Sequence, residues 1–447
     1  MNFALRISLS IALWAVACLA QTQEIASKLD EYLSGYQKHR SFIGTVLVAK
    51  GGKIILEKGY GMANIELGVP NGADTKFRLG SITKQFTSTS ILQLEEQGKL
   101  SVNDNACKYF DGCPESWKPI TIHQLLSHTS GIPSYTSDPQ FPKPKFMRIP
   151  LTPAEILLLT KDKPLDFPPG EKWLYDNSGY IFLGIIIEKV SGEKYADYLK
   201  KHVFGPLDMQ DSGYDDSAVI LKNRAAGYRS VADGFRNADY LDMSLPYAAG
   251  SLYSTVRDLY RWDRALYGDK VLSKASREKA WTTVKNNYGY GWGIAQSHNH
   301  KQIAHGGGIN GFSTFFGRYP DDDATVIVLS NNERANSGAI ANGLTGILFG
   351  DKVDLPWDRK AISLDSKVLD RYAGIYQENR ATITVTNENG HLMIEPKGQR
   401  KIEALPSSET EFFLKEGDAT LKFTVGPDGK ATEMRLGQGD VVAKRVN

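Results

Sequence analysis

The chain has 447 residues, of which 53 are Lys or Arg and 51 are Asp or Glu, for a formal charge of +2. So small an excess, with no basic cluster, excludes nucleic acid and an anionic membrane surface as partners. Its 41% hydrophobic and 23% charged residues are those of a globular protein with room for two or three domains.

Arg6 followed by an apolar run from Ile7 to Ala20 reads as a secretory leader over residues 1–20, too short to span a membrane comfortably. Cleavage would follow Ala17 or Ala20. Ala15-Val16-Ala17-Cys18 also resembles a lipoprotein box without its usual leucine, so membrane anchoring would require lipidation at Cys18. Residues 24–40 then predict an amphipathic helix, and Phe42 to Val48 with Lys53 to Tyr60 predict a hairpin closed by Ala49-Lys50-Gly51-Gly52.

Gly80 and Ser81 predict a turn and N-cap opening a helix that runs to Gly98, interleaved with Thr87, Ser88, Thr89 and Ser90 and therefore enclosed by other elements. Lys84 lies one turn beyond Ser81 on the same face. A partly desolvated lysine there can accept the serine proton and make a nucleophile. The same spacing occurs at Ser191 to Lys194 and Ser276 to Lys279, where the surrounding residues predict a helix end and a solvated face, neither of them buried.

Residues of about 100–245 read as a mostly helical insert, with helices at Thr121 to Ser127, Pro153 to Thr160, Ser178 to Val190 and Lys194 to Val203 and little strand-like alternation. Cys107 and Cys113 are either two free thiols or, after export, a structural disulfide around a small loop. His128 reads as structural. Tyr175-Asp176-Asn177 is either a proton-relaying tyrosine, its pKa lowered by a nearby cation, with a substrate-holding asparagine, or a buried tyrosine closing a loop onto a helix.

Thr255 to Tyr267 predicts a helix. Gln302 to Ala304, Gly311 to Tyr319 and Thr325 to Ser330 predict strands that would extend the opening hairpin, followed by a helix from Ser337 to Leu348. His305-Gly306-Gly307-Gly308 is either a Gly-rich turn or a backbone approaching substrate closely. His298 and His300 read as a solvated hairpin tip with no third metal ligand. The fold class is α+β: an antiparallel sheet flanked by helices, with the helical insert. After Pro356, short alternating runs predict a separate β-barrel or sandwich, which makes residues 21–355 one domain and 356–447 another.

These three motifs, with His-Thr-Ser-Gly-Ile and Pro-Gly-Glu-Lys-Trp-Leu-Tyr-Asp-Asn-Ser-Gly-Tyr, resemble over about residues 25–350 the penicillin-binding and class C β-lactamase family of serine hydrolases. The resemblance implies Ser81 as acylated nucleophile, Lys84 as its proton partner, Tyr175 as general acid/base and Asn177 as substrate orienter. His305, Gly306 and Gly307 would line the pocket, and the N–H groups of Ser81 and Gly308 would meet the oxyanion. It implies chemistry without metal or cofactor. Typical β-lactamases carry lysine where His305 stands; His-x-Gly is more similar to D-aminopeptidases, some D-Ala-D-Ala carboxypeptidases and esterases. The resemblance thus implies small peptides with D-residues first, short esters second and β-lactams third as substrates. A non-catalytic penicillin-binding receptor is the competing class. The last domain resembles the lipocalin-like domains of some peptidase relatives. Oligomeric state is not legible.

Overall fold

The computed structural model describes residues 2–39, 41–141, 143–231, 234–353, 355–378, 381–397, 401–415, 419–436 and 441–446, with side chains from residue 20 onward except at 356, 381 and 441. The chain divides into two compact units, Met1–Asp351 and Lys352–Asn447.

In the first unit, helix α1 (Asn2–Lys38) leads into strands β1 (Gly44–Lys50) and β2 (Lys53–Tyr60). The helix expected over 24–40 thus begins much earlier, because no Gly or Pro interrupts residues 2–34. The side chains of residues 1–19, Cys18 included, lie outside the described residues. Among the described residues no helix is long and apolar enough to cross a membrane. Later in the chain come α2 (Thr83–Glu96), α3 (Ser178–Ser191) and α4 (Val256–Ala265). They are followed by β3 (Gly293–Ser297), β4 (His300–Ile309), β5 (Phe312–Tyr319), β6 (Ala324–Ser330) and α5 (Ser337–Phe349).

The six strands form one antiparallel sheet in the order β3-β4-β5-β6-β1-β2, so the opening hairpin joins the late strands through the β1–β6 pair. Strands β1 and β6 are buried on two faces, which is why they read as continuous apolar runs rather than alternating ones. Leu29, Tyr32, Leu33 and Tyr36 of α1 are buried, and Gly343 of α5 admits the Tyr32 ring, since a Cβ there would stand 2.1 Å from its hydroxyl. Buried Arg318 of β5 donates through Nε to Asp263 of α4 at 3.0 Å, and both side chains are 1% exposed or less. The rings of Tyr267 and Trp281 cover its guanidinium at 4.6 and 4.9 Å. Asp263→Ala would strand this cation. A loss of about 3–5 kcal/mol is expected in urea unfolding, and a shift below about 1 kcal/mol would contradict the pair's role.

Three differences from the sequence reading have local causes. The strand expected at Gln302 to Ala304 extends to Ile309, because β5 supplies pairing partners for Gly306, Gly307 and Gly308 that glycine's own propensity does not announce. Strand β3, unread in the sequence, has no alternation but pairs along β4. The helix expected over Lys194 to Val203 is α-helical only at Tyr195–Leu199 and then widens into a π turn at Lys200–Phe204. The insert also holds a small hairpin, Tyr228–Val231 with Gly234–Asn237. Its helices begin on the caps their sequences offer: Thr121 and Thr152 each make a capping box. Cys107 and Cys113 are disulfide-linked with Cα atoms 5.5 Å apart.

At the β3–β4 turn, His298 and His300 are not simply solvated. His298 hydrogen-bonds to Asp351 and to the Asn342 carbonyl, and His300 bonds to Asp322 and stacks on Phe349. A left-handed backbone at His298 and Asn299 turns both rings back onto the protein.

The second unit is an eight-stranded closed barrel, β7 (Gly374–Glu378) through β14 (Val441–Arg445), in which β7 pairs with both β8 (Ala381–Glu388) and β14. Tyr372, Tyr376, Val385, Leu392, Ile394, Phe423 and Met434 fill its core, with polar residues alternating outward. Closure removes the exposed edges that so small a sheet would otherwise present.

Candidate active site

The loop before α2 is shaped by backbone contacts. Leu79 donates its N–H to the Leu252 carbonyl at 2.8 Å and accepts the Thr314 hydroxyl at 2.7 Å. Gly80 then takes φ +55°, where a Cβ would stand 3.0 Å from the backbone N and O of Gly308. A Cβ on Gly307 would meet the Leu79 carbonyl at 1.9 Å. Glycine at these two positions therefore lets strand β4 lie directly against the turn that carries Ser81.

Ser81 is not the cap that the sequence predicted. It lies inside a 3₁₀ turn, Gly80–Ile82, and no side chain caps either that turn or α2. The left-handed Gly80 sets the helix entry instead, which leaves the hydroxyl free to face Lys84. The rest of α2 is enclosed: Thr83 through Leu94 are all buried. Hydroxyls of Thr87, Ser88 and Ser90 satisfy themselves on nearby carbonyls, which makes a buried polar helix tolerable.

Lys84 is fully buried. Its Nζ lies 2.8 Å from Asn177 Oδ1, 2.9 Å from the Ala249 carbonyl and 3.2 Å from Ser81 Oγ. Burial pulls its pKa down to about 7, against the upward pull of Asp176. Asn177 Oδ1 and the Ala249 carbonyl only accept hydrogen bonds, so a neutral amine gives both its hydrogens to them. Its lone pair is then left for the Ser81 hydroxyl.

Asn177 is itself anchored, donating from Nδ2 to Thr136 Oγ1 at 3.2 Å and from its backbone to Ser134 Oγ at 3.1 Å. Asp176 accepts the Gly179 N–H at 2.5 Å at the start of α3 and gives its own N–H to His128 Nδ1 at 3.3 Å. His128 is buried in a left-handed conformation, its ring 4.3 Å from that of Tyr175. The Tyr175 ring lies under Lys84, with Nζ 4.8 Å from its centroid. Its hydroxyl is turned toward Ser81 but meets no partner of good geometry. A nearby cation was expected to lower this tyrosine's pKa. Burial instead raises it, so Tyr175 stays a neutral phenol able to give a proton.

His305 stands 6.2 Å from the Tyr175 ring, and both of its nitrogens are engaged within the protein, by Tyr288 and by the Gly306 carbonyl. Burial and the Lys84 charge push its pKa down to about 3, so the ring is neutral. A cleft of about 120 Å³ opens beside Ser81, lined by Tyr135, Phe141, Asn177, Leu241, Ile309 and Asn310, with Gly308 on its wall. His305, Gly306 and Gly307, expected to line the pocket, do not line it.

The other two Ser-x-x-Lys pairs are placed differently. Lys194 is solvated, while Ser276, contrary to its expected exposure, is buried by the Ser273 cap, with Lys279 turned away to Glu95. Three contributors carried no sequence signal that was read: the Ala249 carbonyl, which has no side-chain identity, Thr314 and Tyr288. The alternation Tyr288-Gly289-Tyr290-Gly291 was a usable sign, since a Cβ on Gly291 would meet the Lys84 carbonyl at 2.7 Å.

Comparison with known proteins places the chain in a family. Residues 29–346 match the Beta-lactamase family, and residues 358–444 match a domain of unknown function, DUF3471. Penicillin-binding protein 4* of Bacillus subtilis is 35% identical over 418 residues, covering 88% of this chain and 92% of the relative. A teichoic acid D-alanine hydrolase of Staphylococcus aureus is 27% identical over 340 residues, 75% of this chain and 80% of the relative. The structure of an octameric penicillin-binding protein homologue from Pyrococcus abyssi superposes with a TM-score of 0.68 at 27% identity, over 92% of this chain and 97% of that one. The chain belongs to the Beta-lactamase family, a fold family that contains serine hydrolases.

Proposed function

We propose that the protein is an exported hydrolase that cleaves small amides or esters, D-aminoacyl ones first among them, through an acyl-enzyme on Ser81. The observation that carries this reading is the Lys84 amine, held by Asn177 and Ala249 with its third position on Ser81 Oγ. Ser81 oxygen bonds to the substrate carbonyl carbon as its proton moves to Lys84. The N–H groups of Ser81 and Gly308 hold the oxyanion. The bond to the leaving group breaks as Tyr175 gives it a proton, and Lys84 returns one to Tyr175. Water then cleaves the acyl ester, releasing the acid and restoring Ser81.

The leaving group must reach Tyr175, so the cleft on the other side, lined by Phe141, Leu241 and Asn310, takes the acyl half. The teichoic acid D-alanine hydrolase among the relatives supports a D-alanyl group there. Export is part of this reading, and both the apolar run after Arg6 and the Cys107–Cys113 disulfide support it.

Lys84 serves as base only when neutral. With its pKa at about 7, kcat/KM on p-nitrophenyl butyrate should be low in acid and rise through neutral pH as the ammonium loses its proton. A burst of p-nitrophenol followed by steady turnover is expected. A profile flat through neutrality would remove Lys84 as the base, and one product equivalent without turnover would favour a receptor.

A further inference from the structure

The turn that delivers the Ala249 carbonyl to Lys84 is built on an unusual backbone. Among the described residues other than glycine, those with positive φ are His, Asn or Asp, except for Tyr247 at φ +37°. A bulky side chain rarely takes this conformation, and it persists only where the surrounding packing over-determines it. Helix α3 supplies that packing. A Cβ on Gly184 would stand 2.3 Å from Cε1 of the Tyr247 ring and 2.6 Å from the Ala248 Cβ, so the bare glycine is a notch that receives both. The Tyr195 ring closes over Tyr247 at 5.1 Å, and Tyr247 is buried. Its hydroxyl, near the Glu188 carboxylate, makes no hydrogen bond of good geometry, so the seat is made by the ring.

The Ala249 N–H returns to the Pro246 carbonyl at 2.8 Å and the Ser251 N–H to the Tyr247 carbonyl at 2.9 Å, which ties the single helical turn Tyr247–Gly250 into one piece. Its next two carbonyls both land on α2. Ala248 accepts the Thr87 hydroxyl at 2.7 Å, and Ala249 accepts Lys84 Nζ at 2.9 Å.

We propose that Tyr247 is a positioning residue for the reaction: its ring, seated in the Gly184 notch, holds the left-handed backbone that aims the Ala249 carbonyl at Lys84, and so turns the amine's lone pair toward Ser81. This rests on the hydrolase reading above and adds the device that orients its base. With Ala249 turned away, one amine hydrogen is free to swing onto Ser81 Oγ, which then faces a donor instead of a lone pair. The ammonium form also loses an acceptor, which draws the pKa of Lys84 further down. Asp176, Tyr175, Tyr180, His128 and His305 also surround Lys84, and none of them lies on this turn.

The test is the pH profile of kcat/KM on p-nitrophenyl butyrate for folded Tyr247→Ala, Tyr247→Gly and Tyr247→Phe proteins, with Gly184→Ala as a second route to the same displacement. Alanine removes the ring but keeps a Cβ that disfavours positive φ. Its plateau should fall by at least ~10-fold, with the inflection moved toward acid. Glycine removes the ring yet tolerates the left-handed backbone, so it should keep at least ~3-fold more activity than alanine. A tyrosine that only filled space would give the reverse order, since glycine leaves the larger void. Tyr247→Phe keeps the ring and should rescue most of what alanine loses. Gly184→Ala leaves Tyr247 in the chain but fills its notch, and should reproduce the alanine profile.

A Tyr247→Ala protein with unchanged plateau and inflection overturns the inference, and so does a glycine variant no better than the alanine one. Where Tyr247→Ala does not fold, the plateau and inflection of Gly184→Ala decide by the same criterion. If the unaltered protein neither cleaves the ester nor takes a fluorophosphonate on Ser81, the hydrolase reading itself falls and takes this one with it. Labelled Ser81 and steady turnover, with the variants all alike, removes this inference alone.

Discussion

Ser81→Ala is expected to lower kcat/KM on p-nitrophenyl butyrate by at least ~10⁴-fold while leaving the unfolding midpoint nearly unchanged. The hydroxyl makes no capping bond to the backbone, and the helix entry is set by Gly80 and by the Leu79 contacts to Leu252 and Thr314. Its loss removes only the longest of the three Lys84 contacts. Lys84 keeps Asn177 and Ala249, so the buried amine is not stranded. Activity and stability therefore separate at this residue. A variant with a tenth of the original activity would mean that another nucleophile forms the intermediate.

Lys84→Met should cost ~10²–10⁴-fold in kcat/KM and abolish the rise through neutral pH. Methionine fills the same volume without a charge. The substitution removes an amine whose burial is costly, but it leaves Asn177 Oδ1 and the Ala249 carbonyl without a donor. The two effects oppose each other, so the change in stability should stay within about 2 kcal/mol. The prediction is checked by pH-rate profiles beside urea unfolding. A Lys84→Met protein that kept both rate and profile would transfer the base role to Tyr175. The high pKa of that phenol argues against such a transfer.

Much of the fold could be read where local chemistry and tertiary packing agree. The caps at Thr121, Thr152 and Thr255 announce their helices, and the two-sided burial of β1 and β6 leaves continuous apolar runs. The barrel's short alternating strands were visible for the same reason. Where partners decide the structure, the sequence was silent. Gly306 to Gly308 become strand because β5 lies beside them, and β3 exists only as the far partner of β4.

The same division holds around Ser81. Its helix and the Tyr175 to Asn177 loop carry distinctive side chains, and they meet at Lys84. Ala249 acts through a carbonyl that any residue has. Tyr288 is one of many tyrosines, and what sets it apart is a contact to a ring 17 positions later. His305 was read as a pocket residue, yet its nitrogens turn inward onto Tyr288 and Gly306, a geometry that glycine-rich strand pairing creates.

The most direct test of the central claim is peptide-resolved mass spectrometry of the folded protein after a fluorophosphonate. A single adduct is predicted on the peptide that contains Ser81, forming faster as the pH rises through about 7 and absent from Ser81→Ala. Folded protein with no adduct, or with its adduct on Ser191 or Ser276, would contradict the account.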